Sequence, residues 1–174
     1  MPDPTTPGPT ASDKAPPTPA SGRLKFLVCV DCRPQSRVAV RFACRRATTI
    51  GGSVALLHVI ERPEFQHWAT VGKEMEHERH EDAQALLADL AEKVNEWGGL
   101  VPEVWIREGD IGDEILAQIG DDPTIDVLVV GAAAPTDKGF SLISFLAGKL
   151  VGKLSIPLVV VPADLASEKR PHRW

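Results

Sequence analysis

From Leu24 to Val161 the chain alternates short apolar runs with longer stretches in which apolar residues recur every three or four positions. Leu24–Val30 reads as a continuous apolar run, the pattern of a strand buried on both faces. Pro34 then suits the first turn of a helix reaching Ile50, with Ala39, Phe42, Ala43, Ala47 and Ile50 on one face and Gly51-Gly52 as its stop. Ser53–Ile60 is a second strand. A longer helix is predicted over Met75–Gly98, where Ala83, Leu86, Leu87, Leu90, Val94 and Trp97 recur at helical spacing and Glu, Lys and Arg fill the other faces. Beyond Gly98-Gly99 follow a strand at Val101–Arg107, a short helix at Asp113–Ile119 and a strand at Ile125–Val130. A last helix at Ser141–Leu154 and a fifth strand at Pro157–Val161 complete the pattern.

Strands alternating with helices of this length imply βαβ units and a parallel sheet covered on both sides. The expected class is α/β, a doubly wound five-stranded parallel sheet in three layers. This alternation occupies residues 23–163. Residues 1–22 hold seven prolines among Thr, Ser, Ala and Gly, a composition that cannot bury enough apolar surface to offset its ordering entropy, so this segment is expected to be a disordered tail. Residues 164–174 are polar and are expected to be a second loose tail.

Composition narrows the functional classes. A net charge of -5 offers no basic face for a phosphate backbone, which argues against nucleic acid as a partner. No apolar stretch approaches the roughly 20 residues of a membrane span, and the N-terminus lacks the apolar core of a secretory signal. Three cysteines do not make a disulfide framework, and a reducing cytoplasm is the expected setting.

In an open α/β sheet, ligands bind beyond the carboxyl ends of the strands, where the strand order reverses. Asp31, Val59, Gly109 and Gly131 stand at such ends. Asp31 could accept hydrogen bonds from a ribose or an adenine amine, or it could cap the following helix; both readings stay open. Cys29-Val30-Asp31-Cys32 is formally a C-x-x-C, but Cys29 falls inside a buried strand rather than at a helix mouth, which favours a packing role. His67, His77 and His80 among Glu74, Glu76, Glu78 and Glu81 resemble metal ligands only loosely, and such a charged stretch is ordinarily a solvated helix start. Phe65, Trp68 and Val71 could line one face of a short helix, either as a lid over the crevice or as a loop packed on the core.

Leu27-Val28-Cys29-Val30-Asp31, a helix ending in Gly-Gly, and Val54-Ala55-Leu56-Leu57-His58-Val59 together resemble the opening of universal stress proteins. Asp126-Val127-Leu128-Val129-Val130-Gly131 followed by Ile156-Pro157-Leu158-Val159-Val160-Val161 resembles their close. Nucleotide-binding members carry a Gly-x-x-Gly loop, nine residues, then Gly-Ser or Gly-Thr. Here Gly131 is retained, while Ala134, Ser144 and Phe145 stand at the other three positions. Phe145 removes a hydroxyl donor and fills the space of a phosphate, so ordinary ATP binding is disfavoured. Ser144, with Gly139 and Ser141, could build a different anion site, and the adenine and ribose end at Asp31 and Val59 is better preserved than the phosphate end.

The resemblance implies a regulatory or protective domain that acts by binding, not an enzyme. It also implies a homodimer, commonly through the last strand, where Leu158–Val161 between Pro157 and Pro162 would suit a pairing edge. A protein partner is a further expectation. The alternatives are an adenine-nucleotide (ATP or AMP) sensor and a nucleotide hydrolase of the same fold. Adenylating enzymes of this wider group carry a His-x-Gly-His pair or a Ser-Gly-Gly-x-Asp-Ser loop, and the chain has neither.

Overall fold

The computed structural model describes residues 23–62, 71–132, 150 and 152–166. Within them run β1 (Lys25–Cys29), α1 (Pro34–Ile50), β2 (Ser53–Ile60), α2 (Val71–Gly98), β3 (Glu103–Glu108), α3 (Ile111–Asp121), β4 (Ile125–Gly131) and β5 (Leu158–Val161). Successive side chains of a strand point to opposite faces, so a strand apolar at both parities needs cover on both sides. That is what the helices supply. Phe26, Val28, Val54 and Leu56 pack against Ala39, Ala43, Leu90 and Val94 of α1 and α2. Leu27, Ala55, Leu57 and Leu128 pack on the other face against Ile115 and Ile119 of α3 and against Leu150.

All strand pairs are parallel, in the order β3-β2-β1-β4-β5. The chain steps from β1 to β2 to β3 in one direction and then crosses to β4 on the other side of β1. The order therefore reverses between β1 and β4, where Cys29 lies beside Val130. Asp31 and Gly131 leave the sheet at this shared edge, the crevice position of a doubly wound fold.

Several local expectations are corrected. The run Leu24–Val30 is not uniformly apolar: Lys25 is buried in β1, its Nζ 2.6 Å from Glu103 Oε1 and 2.7 Å from Asp122 Oδ2. Ile50 and Trp97 keep the helical period yet lie exposed, because both stand in the last turn of helices that have run past the core. Asp113–Ile119 does lie within a short helix, α3, which starts at Ile111 because Asp110 accepts hydrogen bonds from the amides of Gly112 and Asp113. Ala163–Ala166 form a 3-10 turn packed beside α1, so order continues past residue 163. Val71 lies in α2. The helix expected at Ser141–Leu154 does not reach Leu154: Leu150 and residues 152–153 are turn, the Leu150 carbonyl accepting from the amides of Lys153 and Leu154. Phe65, Trp68, His67, residues 1–22 and positions 141–149 lie outside the described residues.

β5 is an edge strand with Val160 exposed, and β3 forms the opposite edge with Val104 and Trp105 exposed. Among the described residues no helix is long and apolar enough to cross a membrane.

Candidate functional site

Beyond the carboxyl ends of β1 and β2 lies a cleft of about 450 Å3. Its floor is Cys29, Val30, Asp31 and Cys32 from β1 and its exit, with His58, Val59 and Ile60 from β2; Arg79, Asp82, Ala83 and Leu86 of α2 form one wall and Ile111 of α3 closes the other. The size suits a nucleoside or mononucleotide.

Asp31 engages the turn into α1 with one oxygen only. Its Oδ1 accepts from the Arg33 amide at 3.0 Å and from the Ser36 hydroxyl at 2.6 Å, while the Asp31 amide donates back to Ser36 Oγ at 2.9 Å. This closed loop turns the chain from β1 into α1. It is not a conventional cap, for the N-cap residue is Arg33 and Pro34 occupies the first helical position. Its Oδ2 meets, among the described residues, only Arg33 Nε at 3.9 Å. That oxygen remains open to a hydroxyl or amine donor in the cleft.

His58 was part of the apolar motif in the sequence and was not singled out. Its Nδ1 lies 2.8 Å from the Val30 carbonyl oxygen. A carbonyl only accepts, so Nδ1 carries the proton and Nε2 of the neutral ring is an acceptor. The bond ties β2 to β1 at the cleft floor, beside Val30 N–H donating to Leu57 O at 2.9 Å. Arg79 was likewise passed over within a charged helix start.

The other expected positions divide. Val59 lines the cleft with Asp31. Gly109 and Gly131 share that end of the sheet but do not line the cleft, and each has a packing reason to be glycine. Gly109 has φ +152° and donates to Ile60 O at 3.0 Å, and a Cβ there would fall 2.7 Å from Glu114 Oε1. At Gly131 a Cβ would lie 2.5 Å from the Gln35 carbonyl oxygen, so the first turn of α1 sits directly on the end of β4. Ser144, Ala134 and Phe145 lie outside the described residues.

The cysteine pair separates as its placement implied. Burial, and then the neighbouring Asp31 charge, push the Cys29 thiol up to about 12, so it carries almost no thiolate at neutral pH, while Cys32 is exposed in the turn. His77 pairs with Glu81 at 3.2 Å and His80 with Glu108 at 3.8 Å. Among the described residues no group of three His, Cys, Asp or Glu is placed to hold a metal ion. The Ser36 hydroxyl is buried and engaged with Asp31, and the proton-bearing nitrogen of His58 faces a carbonyl.

Solved structures share this architecture. UspA from Lactobacillus plantarum superposes with a TM-score of 0.66 at 17% identity, covering 81% of this chain and 99% of that one. The universal stress protein of Archaeoglobus fulgidus, solved in complex with dAMP, gives 0.56 at 16% identity, with 81% and 99% covered. A universal stress protein family member from Arabidopsis thaliana, solved with AMP bound, gives 0.58 at 18% identity, with 80% and 91% covered. At such identities the likeness is one of fold. No curated protein matches the chain. The family match itself is direct and runs through every strand of the sheet: over residues 22–162 the sequence fits the universal stress protein family, to which this chain belongs.

Proposed function

We propose that this chain is a regulatory or protective domain that works by binding, taking the adenosine portion of an adenine mononucleotide in the cleft beyond β1 and β2 without turning it over. The observation that carries the proposal is Asp31: one oxygen is locked into the β1–α1 turn, and the other, on the floor of the cleft, is left for a ligand donor. Two structural relatives hold AMP and dAMP, ligands of a size that fits this cleft. The departures at Ala134, Ser144 and Phe145 remove the features that would reward a triphosphate.

Calorimetry on the full chain tests this. AMP is expected to bind, and ATP to bind no more tightly than AMP. Asp31→Asn is expected to weaken AMP about tenfold, the worth of a hydrogen bond to a charged group, while its amide oxygen still accepts from Arg33 and Ser36 and keeps the turn. ATP incubated with the protein should be recovered intact. Preference for ATP by a factor of ten, release of phosphate, or no binding of AMP would each overturn the proposal. The domain is further proposed to pair as a homodimer through the free edge of β5, and a monomeric mass by light scattering on the same sample would contradict that.

A further inference from the structure

Arg79 is a cation with an unusual set of partners. Its Nε donates to the Met75 carbonyl at 3.1 Å and its Nη1 to the Glu61 carbonyl at 3.3 Å. Glu78 precedes it in α2, Asp82 follows one turn on, and Glu61 lies beside it in the cleft, yet among the described residues no carboxylate pairs with its guanidinium. Carbonyl oxygens orient a guanidinium but do not neutralise it. The side chain is thus held between α2 and the exit of β2, unpaired with any carboxylate of the described residues, on the wall of the same cleft that Asp31 and Val59 line. The acidic groups nearby do not cancel it: Asp31 has Arg33 beside it, and Glu61 and Asp82 are exposed, where solvent and salt screen them.

We infer that Arg79 holds the phosphate of a nucleoside monophosphate, so that the anion lies against α2 rather than in the loop after β4. The inference rests on the reading of the cleft as an adenosine site. A guanidinium suits this task because it offers a planar fork of donors to a phosphate at any pH the protein meets. One anionic group is the natural load, because the carbonyl bonds to Met75 and Glu61 already occupy part of the fork. The ligand class is therefore a monophosphate in preference to the free nucleoside, with no gain from further phosphates.

The test compares adenosine with AMP by calorimetry on the full chain, in the unaltered protein, in Arg79→Met and in Arg79→Lys. The unaltered protein is expected to prefer AMP by about tenfold or more. Arg79→Met should bind the two ligands equally; Arg79→Lys should recover part of the preference and more of its salt sensitivity. An unchanged circular dichroism spectrum and urea midpoint show that Arg79→Met is folded. If the preference for AMP survives in Arg79→Met, this inference fails and the adenosine site stands. If the unaltered protein binds neither ligand, the adenosine site falls and takes this inference with it.

Discussion

Replacing Gly131 by Val is expected to destabilise the domain by about 3 kcal/mol, the upper range for forcing a side chain into a filled site. The new Cβ would stand 2.5 Å from the Gln35 carbonyl oxygen and 2.8 Å from its carbon, both backbone atoms of the first turn of α1. A flexible side chain could move aside; a helix terminus anchored by the Asp31–Ser36 loop cannot do so without loosening the β1 exit. Gly120→Ala provides the contrast. A Cβ there meets nothing within 4 Å, and alanine in a helix is favoured over glycine by about 0.5–1 kcal/mol, so this variant should be neutral or slightly more stable. Urea unfolding of the two variants reads the difference, and equal small effects would contradict the close approach of α1 to β4. Gly131 therefore has a packing explanation that holds whether or not a phosphate ever touches its backbone.

The second large effect is expected at the opposite end of the sheet. Lys25→Met should lower stability by about 2 kcal/mol, less than the roughly 3–5 kcal/mol of a fully buried pair because Glu103 is half exposed. Lys25 lies between Glu103 of β3 and Asp122 at the end of α3, and its amide donates to Asp126 of β4 at 2.8 Å. One residue thus joins the central strand to an edge and to its other neighbour. Burial alone would raise the Asp122 carboxyl, but hydrogen bonds from Lys25 and Thr124 outweigh it and hold the group below its ordinary 3.8. Burial alone would lower the Lys25 ammonium, but Asp122 and Glu103 outweigh that too and hold it above 10.5. Asp122 contributes fully above its unfolded value and loses the contribution as pH falls through the depressed folded one. Lys25 contributes fully below 10.5 and loses it as pH rises through the raised one. The stability gap between the unaltered protein and Lys25→Met should therefore be widest from about pH 4 to pH 10 and close towards either end. A gap independent of pH would mean that the lysine stem packs and its charge does nothing.

These two residues also show which parts of the molecule could be read from the chain alone. Strand and helix succession was legible because apolar periodicity is local: Ser53–Ile60 and Pro34–Ile50 fall where their patterns place them. Lys25 was hidden within an apolar run because its partner Asp122 is 97 positions away, and no local pattern announces a buried cation. Ile50 and Trp97 satisfy the helical period but the sheet ends before they do, and where a helix outruns its core is a tertiary fact. That the cleft lies at the carboxyl ends of the strands followed from the parallel sheet, although it sits beyond β1 and β2 and not at the reversal between β1 and β4. Its chemistry did not. The tautomer of His58 depends on the carbonyl of Val30, 28 residues distant, and the isolation of Arg79 depends on α2 folding back over the exit of β2. The only signal in the sequence for Arg79 was an arginine amid acidic neighbours, which describes most solvated helix starts equally well.

Titration of isotopically labelled protein with AMP, followed through backbone amide resonances, asks most directly whether the cleft beyond β1 and β2 takes a ligand. The largest shifts should fall on Asp31 to Arg33, on His58 to Ile60 and on the turn of α2 around Arg79, with β5 and Lys25 unmoved. No shifts at millimolar AMP, or shifts gathered along β5 and away from the ends of β1 and β2, would contradict it.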